Sequence, residues 1–284
     1  MRSYNIITLG EALIDYIPIS DSICGNYKSV VGGAPLNVAI GLSRLTDKVA
    51  MISRVGQDPL GKEIVRTLSL AGIDCSMIQY DTKRNTPVTI VLPNSSDMMR
   101  YVIYRENSAD SALDIDEIPQ NVLSDTYVMH VGALLCSSEK SKRTTELVIK
   151  KAKEGNAKIS LDVNLRPGCW SSEKQMVDAT LRLVEEADII KMTRDEACLL
   201  GVNIDSCIKQ DKIFVLTDGS KDACAYWNGH VIVESVPKVP VVDVTGAGDA
   251  FMSAFLCHYV NIQKSGKGWK LSGTKTWCIR KLSR

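Results

Sequence analysis

The chain has 284 residues, of which 45% are hydrophobic and 24% are charged, and its formal net charge is +1. This length and composition are typical of one globular domain with a substantial core. A nearly neutral chain has no overall field that attracts nucleic acid, an anionic membrane or an acidic protein. We therefore expect a small-molecule ligand, and neither nucleic-acid nor membrane partners.

The amino terminus carries no signal-peptide pattern, because the polar residues 1–5 lead directly into the short apolar run 6–9. No stretch reaches the ~18 apolar residues of a membrane span. We therefore expect a cytoplasmic protein. The nine cysteines form no C-x-x-C pair, which predicts reduced structural thiols and neither a disulfide framework nor a zinc site.

Short apolar runs bounded by turn residues predict buried strands of a parallel sheet, and the amphipathic stretches between them predict helices. The strand candidates are residues 6–9, 49–52, 127–129, 158–161, 189–190 and 213–216. The helix candidates are residues 35–45, 60–71, 138–154, 175–186, 195–200 and 248–259. Their alternation predicts a doubly wound α/β fold.

Two segments, 15–31 and 78–107, interrupt this alternation. In the second segment, apolar runs at 87–92 and 100–104 surround a turn at 93–97, which predicts a β-hairpin. Such strands could cover the site as a lid or merely extend the main sheet, and the pattern leaves both interpretations open.

The last part of the chain differs in composition from the rest. Residues 261–284 contain seven Lys or Arg and no Asp or Glu, and three glycines interrupt any helical period. We therefore expect an atypical basic tail after residue 260 that is not a packed α/β element.

The strongest local signal is residues 241–251, an apolar run that ends in a small-residue turn and enters a helix. Such a turn presents backbone N–H groups at a helix N-terminus, where an anion is stabilised. Asp249 would lie beside that anion and could accept a proton from an attacking hydroxyl. Spacing alone leaves open that Asp249 only complements the helix dipole.

Other phosphate-binding patterns are missing from the sequence. It contains no G-x-x-x-x-G-K-[ST] segment, and Phe251 stands where a dinucleotide-binding turn has its third glycine. The predicted anion site is therefore neither a P-loop nor a Rossmann turn.

A second glycine pair, Gly32 and Gly33, also precedes a predicted helix, with Pro35 near its start and Asn37 one turn in. The glycines allow a ligand to approach the backbone, and the Asn37 amide can both donate to and accept from neighbouring hydroxyls. The pattern suits a polyol, although a plain junction between loop and helix would look the same.

Together these two segments resemble the two signatures of the pfkB (ribokinase-like) carbohydrate kinase family. Four further segments are similar to that family in the same order: residues 10–15, 104–110, 162–167 with Trp170, and 215–219. The resemblance covers residues 1 to about 260. It implies a ribokinase-like domain, with a mostly parallel sheet flanked by helices and a small lid whose strands lie at about 16–31 and 79–107.

The resemblance also implies roles for individual residues. The residues implied to hold the sugar are Asp15, Gly32, Gly33, Asn37, Arg105, Asp162 and Asn164. The catalytic set is Asp249 as general base, Gly246, Ala247 and Gly248 as an anion hole, and Arg166. The nucleotide contacts are Lys191, Thr193, Thr217 and Gly219. Glu196 is implied to support Mg²⁺, and Asp243 and Thr245 a monovalent cation such as K⁺.

The chain departs from the family at three places. Thr193 stands where the family often has asparagine, and it would also serve as the N-cap of the following helix. Asp222 replaces a common glycine. After residue 260 the basic tail replaces the helices that supply much of the adenine pocket in the family.

The implied activity is transfer of a phosphoryl group from MgATP to a sugar hydroxyl, and the pattern looks closest to fructokinases. A 2-keto-3-deoxygluconate kinase or a riboside kinase is the alternative substrate class. A sugar-binding protein without a complete ATP site is the alternative of another kind. Family members often dimerise through lid strands, so the resemblance also allows a homodimer.

Overall fold

A computed structural model describes residues 2–93, 101–203, 211–236 and 245–266. The strands in chain order are β1 (Tyr4–Leu9), β2 (Leu13–Pro18), β3 (Tyr27–Gly32), β4 (Val49–Gly56), β5 (Ile78–Asp81), β6 (Val88–Val91), β7 (Tyr101–Tyr104), β8 (Thr126–Gly132), β9 (Lys158–Asp162), β10 (Ile189–Thr193), β11 (Ile213–Asp218), β12 (Lys221–Trp227) and β13 (His230–Glu234). The helices are α1 (Ala34–Ser43), α2 (Pro59–Leu70), α3 (Gln120–Leu123), α4 (Glu139–Glu154), α5 (Glu173–Glu186), α6 (Arg194–Leu199) and α7 (Ala247–Lys264).

In the described part of the chain, nine strands form the main sheet, in the order β13-β12-β11-β10-β9-β8-β1-β4-β5. Seven of these strands, β5, β4, β1, β8, β9, β10 and β11 in spatial order, are parallel to one another. Beyond β11, strands β12 and β13 add an antiparallel hairpin at one side of the sheet. Helices cover both faces, so the predicted doubly wound α/β class is confirmed. Because the parallel strands all end at the same edge, the loops and helices that follow them meet there.

The side chains of the main sheet alternate between two hydrophobic cores. One face packs residues such as Met129, Leu161 and Met192 beneath α4 and α5. The other face packs Ile6, Val128 and Ile189 beneath α1 and α7, which contribute Leu36, Met252 and Leu256. The second core holds α1 and α7 side by side, and this contact positions the site described below.

The two segments that interrupted the predicted alternation form a separate sheet in the order β3-β2-β6-β7. The predicted hairpin is present as the antiparallel pair β6 and β7, although its turn at 94–100 lies outside the described residues. Strand β5, which the sequence analysis placed in the lid, instead pairs in parallel with β4 in the main sheet. Its side chains at Ile78, Gln79 and Asp81 are buried there, which explains the difference.

Helix α7 runs past the predicted end at Tyr259 as far as Lys264, because Tyr259 and Val260 are buried against the core. Residues 267–284 of the predicted basic tail lie outside the described part of the chain. The domain boundary at residue 260 therefore stays a prediction. Among the described helices, none is long and apolar enough to cross a membrane, and the seven cysteines of those ranges are free thiols.

Candidate active site

The N-terminus of α7 opens at the edge where the parallel strands end. Its N-cap is Gly246, whose φ of 76° lies in the left-handed region that glycine adopts without strain. Gly246 has no side chain with which to cap the helix. The first N–H groups of α7 therefore point outward at the positive end of the helix, which is the geometry of an anion site.

Asp249 lies in the first turn of α7, and its carboxylate is oriented by α1. The Nδ2 atom of Asn37 donates a hydrogen bond of 2.8 Å to Oδ2 of Asp249. This contact depends on the packing of the two helices, in which Ser253 donates to the carbonyl of Val38 at 3.1 Å. The structure thus joins one residue of each glycine segment in a single hydrogen bond.

The surroundings of Asp249 tune its acidity. Burial raises its pKa, while the hydrogen bond from Asn37 and the positive charges of Lys191 and Arg166 oppose this rise. A carboxylate with a pKa above its ordinary value is a better proton acceptor.

Asp15 and Arg166 face the same space as Asp249. Burial raises the pKa of Asp15, a hydrogen bond from Thr89 and the charge of Arg166 lower it, and the charge of Asp249 raises it further. The Arg166 guanidinium lies 5.6 Å from the centre of the Tyr101 ring on β7. A side chain at position 32 would overlap the Asp15 carboxylate, so the glycine there is required.

The N-terminus of α1 is capped by Glu11, which lies between β1 and β2. Gly33 is its N-cap with φ of 111°, and no side chain of its own caps the helix. Instead the backbone N–H of Ala34 donates to Oε1 of Glu11 at 3.1 Å. A Cβ at position 33 would come within 2.5 Å of the backbone carbonyl oxygen of Glu11, so this close approach of the two backbone segments requires glycine at position 33.

Arg105 lies deeper than the other predicted sugar contacts, with 8% of its surface exposed. Its Nε donates to Oδ2 of Asp110 at 2.5 Å, and its Nη1 donates to the hydroxyl of Ser137. Nη2 is buried and has no hydrogen-bond partner in the described ranges. Most of this guanidinium is therefore engaged by the protein, and Nη2 is the donor that remains for a ligand.

Asp162 and Lys191 are paired with each other. Both carboxylate oxygens of Asp162 lie 3.0 Å from the Lys191 ammonium, and both side chains are buried. Burial raises the pKa of Asp162 and the charge of Lys191 opposes that rise. The nearby Asn164, also predicted to hold the sugar, has a left-handed φ of 38° at the turn that follows β9.

Thr193 and Glu196 form a capping box at the start of α6. The Thr193 hydroxyl accepts from the Glu196 N–H at 3.2 Å, and Glu196 Oε2 accepts from the Thr193 N–H at 2.8 Å. Oε1 of Glu196 accepts from the Leu165 N–H at 2.7 Å. Because both oxygens already accept from the backbone, Glu196 fits contact with Mg²⁺ through water better than direct ligation.

The other predicted nucleotide and cation residues that lie in the described ranges are at least partly exposed near the carboxyl ends of the parallel strands. Thr217 lies beside Thr193 in the β10–β11 register. Gly219 is exposed in the turn after β11 with φ of 54°. Thr245 and Ala247 are exposed on either side of Gly246, whereas Asp243 lies outside the described residues.

The sequence profile of the pfkB family carbohydrate kinases matches residues 4–273 of the chain. The chain belongs to the pfkB family. It is thus an ATP-dependent sugar kinase. Fructokinase-1 of Zea mays is 31% identical over 267 residues, which cover 88% of this chain and 81% of that protein.

Solved structures of sugar kinases share the fold of this pfkB kinase. An uncharacterized sugar kinase of Pyrococcus horikoshii, solved in complex with ATP, superposes with a TM-score of 0.80 at 31% identity and covers 88% of this chain and 83% of that one. A fructokinase double mutant of Vibrio cholerae, solved in its fructose, ADP and potassium ion bound form, has a TM-score of 0.82 at 27% identity. That match covers 92% of this chain and 85% of the other.

Sequence reasoning assigned no role to two buried carboxyl groups of this kinase. Glu11 caps α1, and Asp110, which is 0% exposed, holds Arg105. A carboxylate directly after Gly10, where β1 ends between β8 and β4, is the signal that could have identified Glu11. Asp110 lies only five residues after Arg105, but no local pattern in that segment indicates that the two side chains form a buried ion pair.

Glu11 predicts a pH dependence of stability. Burial raises its pKa from 4.5 to about 7. The folded state therefore favours protonated Glu11. Its contribution to the free energy of unfolding is fully present below pH 4.5 and is lost as the pH rises through about 7. Glutamine can still accept from Ala34 but cannot ionise. Between pH 5 and pH 8 we expect wild type to lose up to about 3 kcal/mol of unfolding free energy relative to Glu11→Gln.

Urea unfolding of both proteins at the two pH values measures this difference. Equal pH dependence of wild type and Glu11→Gln would show that Glu11 is ionised in the folded state throughout the range.

Proposed function

We propose that this kinase transfers the γ-phosphoryl group of ATP to a hydroxyl of fructose, with Asp249 as general base. The observation that carries the proposal is the 2.8 Å hydrogen bond from Asn37 to Asp249 beside the glycine N-terminus of α7. It combines an oriented base with an anion site, and phosphoryl transfer requires both within a few ångströms of each other.

In this mechanism the sugar lies between the main sheet and the small sheet β3-β2-β6-β7, which we propose as the lid. Asp15 accepts hydrogen bonds from its hydroxyls, and Asn37 orients the free oxygen of Asp249 toward the reacting one. Asp249 accepts the proton of that hydroxyl as the hydroxyl oxygen bonds to the γ-phosphorus of ATP, and the bond from this phosphorus to the bridging oxygen of the leaving ADP breaks. The N–H groups at Gly246, Ala247 and Gly248, together with the Arg166 fork, stabilise the charge that spreads over the phosphoryl oxygens.

The nucleotide side uses the capping box at Thr193 and Glu196, with Thr217 and Gly219 beside it. Magnesium bound to the ATP phosphates would neutralise part of their charge, and water held by Glu196 would be its contact with the protein. Asp243 and Thr245 are the residues we propose for a monovalent cation.

Fructose is favoured because relatives of the chain are named fructokinases and one solved neighbour has fructose bound. A second candidate is an acidic sugar such as 2-keto-3-deoxygluconate. It is favoured by the buried, unpartnered Nη2 of Arg105, since a carboxylate would satisfy that donor. Comparing kcat/KM for the two sugars with MgATP decides between them.

Calorimetric titration with fructose and with ATP tests the kinase against a protein that only binds sugar. We expect both ligands to bind, and sugar binding without detectable nucleotide binding would contradict the proposed reaction. A homodimer through the lid strands is also proposed, since Val102 and Tyr104 on β7 are 38% and 59% exposed. Sedimentation velocity would measure it directly.

A further inference from the structure

A buried ion pair lies directly behind the anion turn. Lys191 on β10 and Asp162 on β9 are register partners in the parallel sheet, so their side chains leave the same face side by side. Lys191 is 6% exposed and Asp162 is 3% exposed. The ammonium lies 3.0 Å from both carboxylate oxygens, which fixes its position.

The Lys191 ammonium also lies beside the first turn of α7. A Cβ added at Gly248 would come within 2.8 Å of Nζ, so the glycine there allows the cation to approach the helix. A helix N-terminus already carries a partial positive charge, and a cation beside it is unfavourable unless an anion is near. Asp162 stabilises the cation in the free protein, and a phosphoryl group arriving at the turn would add to that stabilisation.

The charges around Asp249 come from several elements. Lys191 and Arg166 are the cations that lower its pKa, and Asn37 on α1 donates the hydrogen bond described above. Asp15 on β2 is an anion coupled to Asp249 across the sugar space, and Asp162 on β9 is a second one.

Two further titratable groups adjoin the ion pair. Glu196 on α6 raises the pKa of Asp162. His130 on β8 is neutral, because burial and the charge of Lys191 lower its pKa to about 3. Near neutral pH, His130 therefore places no positive charge beside the Lys191–Asp162 pair.

We propose that Lys191, held in place by Asp162, is a positioning residue of the phosphoryl-transfer site that supplies positive charge behind the α7 turn and stabilises negative charge on the Asp249 carboxylate in that turn. The part that concerns the phosphoryl group rests on the proposed function. The part that concerns Asp249 is a property of the folded protein and holds with or without turnover.

Two single substitutions distinguish this role from a merely structural one. Lys191→Met removes the cation and is expected to raise the titration midpoint of Asp249 by about one unit. Asp162→Asn leaves the cation without its counter-charge and is expected to lower that midpoint. A structural effect alone would shift the midpoint in the same direction in both variants.

The measurement is the ¹³C NMR titration of the full chain labelled at aspartate carboxyl carbons, with the Asp249 signal assigned by Asp249→Asn. The acid limb of the kcat/KM profile with MgATP and fructose is the second readout, and it should move in the same directions. Lys191→Arg is expected to retain most of the wild-type midpoint. If a single variant does not fold because it leaves a buried group unpaired, the double variant Lys191→Met with Asp162→Asn is used instead, since it removes both charges. Its Asp249 midpoint should lie above that of Asp162→Asn.

Lys212→Met is the matched control. Lys212 lies before the amino end of β11, where its ammonium donates to the carbonyls of Val184 and Glu185 at 2.8 and 2.7 Å. The wild-type midpoint of Asp249 is expected in this variant.

An unchanged Asp249 midpoint in Lys191→Met, or shifts in the same direction in the two single variants, overturns the proposal. Absence of turnover in wild type would contradict the proposed reaction, and the NMR titration would still decide for or against the role of Lys191.

Discussion

Replacing Asp249 with asparagine is expected to lower kcat by roughly 10²–10⁴-fold, because the variant lacks the proton acceptor of the reaction. Asparagine keeps the shape of the side chain and can still contact Asn37. Sugar affinity should therefore change little, because Asp15 and the backbone at Gly33 are retained. Steady-state kinetics and calorimetric titration with fructose measure the two quantities.

The control for this substitution is Asp178→Asn. Asp178 is half-exposed on α5, where it pairs with Lys174 at 2.6 Å, and it should leave kcat unchanged. Near-normal turnover of Asp249→Asn would rule out Asp249 as the base and would leave it only the role of complementing the helix dipole.

Replacing Asp110 with alanine is expected to destabilise the protein by roughly 3–5 kcal/mol, because it leaves the Arg105 guanidinium as a buried charge without its partner. Asp110 is 0% exposed, and it also accepts a hydrogen bond from the Ser108 hydroxyl. Removing Asp110 would leave Nε of Arg105 without its acceptor, whereas the Ser108 hydroxyl could still donate to the Arg105 carbonyl. Urea denaturation at pH 7 measures the change in the free energy of unfolding.

The double variant Arg105→Met with Asp110→Leu tests the cause of that loss. Since it removes both charges together, it should be more stable than Asp110→Ala, although its sugar site is altered. Asp178→Ala breaks an exposed pair and should cost less than about 1 kcal/mol. A loss for Asp110→Ala as small as that of Asp178→Ala would mean that Arg105 finds another partner, with Glu11 the nearest candidate.

Local patterns in the sequence predicted much of the fold. Apolar runs predicted the parallel strands, and amphipathic stretches predicted the main helices close to their observed ends. The turn before Asp249 was predicted as an anion site from its small residues, and Gly246 indeed adopts a conformation that favours glycine. Each of these features depends on residues within one turn or one strand, so a local sequence pattern is sufficient to predict it.

The pairing of side chains within the site could not be predicted in the same way. Asp162 was assigned to the sugar and Lys191 to the nucleotide, yet the structure joins them to each other. Glu196 was assigned to magnesium, and the structure shows that its Oε1 accepts from the Leu165 N–H, 31 residues away in the sequence. Such contacts depend on which strands are neighbours and on their register, and a local sequence pattern predicts neither of these.

The sequence by itself determined the α/β class, the two glycine turns and the family, because each rests on residue types at short spacing. Only the tertiary structure decided that β5 belongs to the main sheet and that Glu11 caps α1. It also decided that Asn37 meets Asp249 from 212 residues away. The physical reason is that burial and helix packing select one partner for each polar group, and that selection needs the whole fold.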